Sequence, residues 1–89
     1  MSRVEQIRAA LQAAFDPELL EVVDDSLRHA GHEGARDGRG HFNVRVVSAA
    51  FEGKLPLARH RAVYAALGSL METDIHALSI DAQAPPKKG

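Results

Sequence analysis

The chain reads as a two-layer α+β domain, with helices on one face of a three-stranded sheet, and three observations predict this. Residues 2–15 repeat apolar side chains at helical spacing. Residues 41–48 alternate like a strand with one buried face. A second helical stretch opening at Pro56 is followed by the short alternating run 75–81. The order is helix, strand, strand, helix, strand, with Gly68 interrupting the second helix so that it either divides or bends.

Each element has a local cause. In residues 2–15, Val4, Ile7, Leu11 and Phe15 form one stripe. Ser2 and Glu5 have the spacing of a capping box, in which each side chain satisfies the other residue's free backbone N–H. Asp16-Pro17 ends the helix, because the residue before proline is driven out of the right-handed α region. Leu19 to Asp25 is the first strand, with Leu20, Val22 and Val23 as its apolar members and acidic residues at its end. Residues 27–40 hold four of the seven glycines, together with His29 and His32. That is long for a hairpin connection, and excess length in a compact domain suits a binding loop or simple disorder.

The strand His41 to Ser48 directs Phe42, Val44 and Val46 to one side and His41, Asn43 and Arg45 to the other. A turn through Phe51-Glu52-Gly53-Lys54 leads to Pro56, a residue suited to the first turn of a helix. His60, Val63, Tyr64, Leu67 and Met71 are expected on one helical face, and His76, Leu78 and Ile80 on one face of the last strand. Residues 1–82 form the domain and residues 83–89 a flexible tail.

Composition narrows the function classes. At 89 residues there is room for one small domain, and with 4% aromatics its core must be filled by aliphatic side chains. A net charge of −1 selects no partner, so any contact with nucleic acid requires a local basic patch. Without cysteine the chain makes no disulfide and no thiolate metal site of its own. The N-terminus lacks a signal-peptide run and no segment is apolar enough to span a membrane, so a cytoplasmic protein is expected.

Among side chains that carry chemistry, the five histidines stand out. His29 and His76 lie 47 residues apart with no sequence-local metal spacing, and each has an ordinary reading as a solvated loop residue or a half-buried strand residue. His29 and His32, three apart, could chelate a metal, but a solvated loop accounts for them equally. His60 reads as a packed helical histidine, and His41 as a polar-face strand residue that needs no functional account. Lys54, Arg59 and Arg61 could neutralise phosphates, or they could be a solvated helix face. Asp24 and Asp25 are adjacent in a strand and point oppositely, which does not suit paired-carboxylate chemistry. There is no P-loop, dinucleotide fingerprint or nucleophile elbow, and no enzyme activity is expected.

Several segments together carry a family resemblance. They are His41-Phe42-x-Val44-x-x-Val47-Ser48-x-x-Phe51-x-Gly53-Lys54, then Arg59-His60-Arg61-x-Val63-Tyr64-x-Ala66-Leu67, then Ile75-His76-Ala77-Leu78. With the upstream Val23-Asp24-Asp25-Ser26-x-x-His29, they resemble the BolA family over about residues 3–82. The resemblance implies an α-β-β-α-α-β domain similar to a class II KH fold. The Gly-x-x-Gly clamp that KH domains use on RNA has no counterpart between the helices here.

The resemblance further implies a monothiol, CGFS-type glutaredoxin as partner and a [2Fe-2S] cluster shared with that protein and glutathione. Of the cluster's four ligands, this chain would supply His76 and a loop histidine, His29, with His32 as the rival. No cofactor is expected in the isolated chain, which is expected to be a monomer with no membrane association. The alternative implied function is DNA-binding transcriptional regulation of stress response and cell morphology, carried by Lys54, Arg59 and Arg61. One departure concerns the C-terminus. Family members often carry an aromatic-containing segment after the last strand, where this chain has Ala84-Pro85-Pro86-Lys87-Lys88-Gly89.

Overall fold

The computed structural model describes residues 2–25 and 40–86. Helix α1 spans Arg3–Phe15, strand β1 Leu19–Asp24 and strand β2 Gly40–Val47. A 3-10 turn at Ala49–Phe51 leads into α2 (Pro56–Leu67), the single-turn α3 (Leu70–Thr73) and β3 (Ile75–Gln83). The order is the expected α-β-β-α-α-β, with the second helix divided rather than bent. The sheet order is β1-β2-β3, with β1 antiparallel and β3 parallel to β2. β3 runs two residues beyond the expected Asp81, so Gln83, assigned by sequence to the tail, pairs with Val47.

Local chemistry explains the boundaries. The amide of Glu5 donates to Ser2 Oγ at 3.1 Å and the amide of Ser2 donates to Glu5 Oε2 at 3.4 Å, completing the capping box. Asp16 closes α1 at φ 42°, a left-handed conformation that Asp tolerates better than most residues. Gly53 turns the chain at φ 77°, and Gly68 ends α2 at φ 53°. Pro56 occupies the first turn of α2, where its missing N–H costs no helical hydrogen bond.

The core lies between the helices and one face of the sheet. Ile7 and Leu11 from α1 and Val63 and Leu67 from α2 are buried with Phe42, Val44 and Val46 of β2. Phe51 is fully buried, and its ring meets Phe15 at 4.8 Å between centroids. The one buried polar side chain among the described residues is Ser48. Its hydroxyl donates to the Phe15 carbonyl at 2.7 Å and accepts from the Ala50 amide at 3.1 Å, joining the end of α1 to the 3-10 turn.

Two expected groupings of side chains need correction. Tyr64 is 42% exposed and does not share the core face with Val63 and Leu67. It falls instead on the outer face with Leu57 and Arg61, at steps of four and three residues. His76 does not share a face with Leu78 and Ile80: those two pack against the core, whereas His76 is exposed. The cause is a break in the β2–β3 register. Gly40 pairs with Ile75 and His41 with Ala77, so His76 is an extra residue and the alternation changes phase there.

Candidate functional site

The phase change sets the position of His76. Ile75 is buried as the end of the core, and the irregularity then turns the next side chain outward. The His76 ring lies against that of His41, with centroids 5.1 Å apart and planes inclined by 55°. His41 is half-buried on the sheet face opposite Phe42. A small depression of about 180 Å³ adjoins His41, lined by Asp25, Asn43, Ala77 and Ser79 among others. Asn43 Nδ2 donates to Asp25 Oδ2 at 3.3 Å along its edge.

His29 and His32 lie outside the described residues. The two anchors of the segment that carries them do not. The Asp25 amide donates to the His41 carbonyl at 2.7 Å, and the Gly40 amide donates to the Asp74 carbonyl at 2.9 Å. Segment 26–39 therefore leaves and rejoins the sheet at the end where His41 and His76 sit. A larger depression of about 300 Å³ on the same open face contains no histidine. Arg45 crosses it between Glu21 and Asp81, at 3.5 and 3.7 Å. These exposed pairs are surface electrostatics of small energetic weight.

The three cations of the α2 region separate by role. Lys54 and Arg61 are exposed. Arg59 is half-buried: its Nε donates to the Lys54 carbonyl at 2.8 Å and an Nη to the Ala82 carbonyl at 3.1 Å. It ties the turn before α2 to the end of β3, a long-range contact that no local pattern signals. Around it Leu55 and Leu57 are 76% and 62% exposed, giving this corner an apolar as well as a basic character. His60 is half-buried on α2.

The arrangement is a small α+β domain with a mixed sheet, its open face bearing imidazoles at one end. The chain belongs to the BolA-like protein family, whose profile matches residues 11–87. It is 46% identical over 89 residues to SufE-like protein 1 of Arabidopsis thaliana, covering 94% of this chain and 24% of that much longer protein. It is 43% identical over 76 residues to the DNA-binding transcriptional regulator BolA of Escherichia coli, covering 85% of this chain and 70% of that one. Among solved structures it resembles the BolA domain of SufE1 from Arabidopsis thaliana with a TM-score of 0.83 and 46% identity, covering 96% of this chain and 94% of that one. Among the described residues no helix is long and apolar enough to cross a membrane.

Proposed function

We propose that this chain is a non-enzymatic iron–sulfur accessory protein that pairs with a monothiol glutaredoxin around a shared [2Fe-2S] cluster, in cluster trafficking or iron sensing. One observation carries the reading. His76 is an exposed imidazole at a strand irregularity, at the sheet end where the segment bearing His29 and His32 is anchored. His29 is four residues beyond Asp25, a reach of at most about 14 Å in extended chain.

The donor set fits the group. Two neutral imidazoles can stand in for two thiolates on such a cluster, and a chain without cysteine leaves the remaining thiolates to glutaredoxin and glutathione. When bound, the cluster supplies one-electron redox chemistry, at a potential raised by the loss of thiolate charge. The chain's own part is to hold His76 on a packed strand and to bring a loop imidazole toward it.

Co-reconstitution with a monothiol glutaredoxin, iron, sulfide and glutathione tests the reading. His76→Ala and His29→Ala are each expected to change the visible absorption and circular dichroism of the cluster, with His32→Ala separating the two loop candidates. Unchanged spectra for all three would remove the ligand assignment.

The second reading, DNA binding, draws on the name of the Escherichia coli relative and on exposed Lys54 and Arg61 beside α2. Titration of a duplex at two salt concentrations is expected to show weaker binding and a shallower salt slope for Lys54→Ala and Arg61→Ala. Affinity indifferent to both would exclude this surface.

A further inference from the structure

We propose that His41 and His76 form a preorganised two-histidine chelate for a tetrahedral divalent metal such as zinc. This site would bind the ion in the isolated chain, without glutaredoxin, iron or sulfide. It goes beyond the proposed function, sharing His76 with it and adding His41, a residue that needed no functional account from sequence.

The argument is geometric. A zinc–imidazole bond of about 2.0–2.1 Å puts each ring centre about 3.2 Å from the metal, so two imidazoles at a tetrahedral angle stand about 5.2 Å apart. At the right angle of an octahedral site the same bonds would give about 4.5 Å. The observed separation is 5.1 Å. The two side chains project from hydrogen-bonded neighbouring strands, His41 opposite Ala77 and His76 as the extra residue beside it. The spacing of their backbones is thus set by the sheet pairing. His76 is exposed, so an ion can reach its ring from solvent, while the Nε2 of His41 is buried. Among the described residues no group of three His, Cys, Asp or Glu could hold an ion, so the proposed site counts on these two histidines as its ligands from the described residues.

Chelation makes the second metal–nitrogen bond an intramolecular event, a gain of roughly 10²-fold or more over a single imidazole. Zinc chloride is titrated into the full chain in a non-coordinating buffer and followed by calorimetry and by the imidazole nitrogen resonances. His76→Ala and His41→Asn are each expected to weaken binding by about 10²-fold. The double variant His29→Ala, His32→Ala is expected to keep wild-type affinity. In the wild-type chain, zinc should shift ring nitrogens of both His41 and His76, a readout that stands even if His41→Asn fails to fold.

Ring packing without ligation would give no such shifts and would overturn the proposal. So would wild-type affinity in His41→Asn, or loss of binding in the loop variant. Because the titration contains no cluster components, its failure leaves the glutaredoxin reading standing, and failed cluster assembly leaves the zinc site standing.

Discussion

The His41–His76 end of the sheet and the Phe51–Arg61 corner both carry residues of the family motif, yet they differ in what depends on them. At the first, His76 is exposed and points away from the core, with its ring against that of half-buried His41. At the second, Phe51 is fully enclosed and Arg59 holds two backbone carbonyls from different elements. Shared motif membership therefore conceals two kinds of constraint. Chemistry can be removed at one end while the fold stands, whereas at the other the motif residues are part of what keeps the domain folded.

Substitutions can break that contrast, beginning with the largest effect. Phe51→Ala removes a buried ring packed on Phe15 and is expected to cost about 3–5 kcal/mol in denaturant unfolding, enough to threaten a domain this small. Arg59→Ala leaves the Lys54 and Ala82 carbonyls without the guanidinium and should cost about 1–2 kcal/mol, discounted for partial exposure. A DNA-affinity loss in that variant would then have to be separated from lost stability. Gly53→Ala meets no atom within 4 Å, so its expected cost of about 1 kcal/mol is purely conformational, from φ 77°. Last, His76→Ala and Arg61→Ala should each change stability by less than about 0.5 kcal/mol, being exposed. A midpoint shift in His76→Ala as large as that of Arg59→Ala would erase the distinction between the two regions.

What the sequence makes legible follows the range of the interaction. The capping box, the break at Gly68 and the alternation of Phe42, Val44 and Val46 are local, and each is found where its pattern indicates. A period of two carried through β3 puts His76 with Leu78 and Ile80, whereas its actual direction follows from a register shift that depends on the pairing of β3 with β2. Tyr64 departs from its expected face because a generous helical stripe does not define its own edge until Val63 and Leu67 are seated. The Arg59–Ala82 contact joins residues 23 apart. The His41–His76 pair exists because the two strands run parallel side by side. Neither has a spacing that single-chain periodicity can register. Of the histidines expected to act as ligands, His76 is among the described residues, beside His41. The two loop candidates, His29 and His32, lie outside the described residues.

The central claim is that His76 nitrogen ligates the shared cluster. Pulsed electron paramagnetic resonance of the reduced cluster, assembled with chain carrying ¹⁵N-labelled histidine, tests it most directly. The predicted result is a strong hyperfine coupling to imidazole nitrogen that changes with the isotope, with the His76 contribution absent in His76→Ala. A reduced cluster with no histidine nitrogen coupling, or one whose couplings are identical in His76→Ala, would contradict the account.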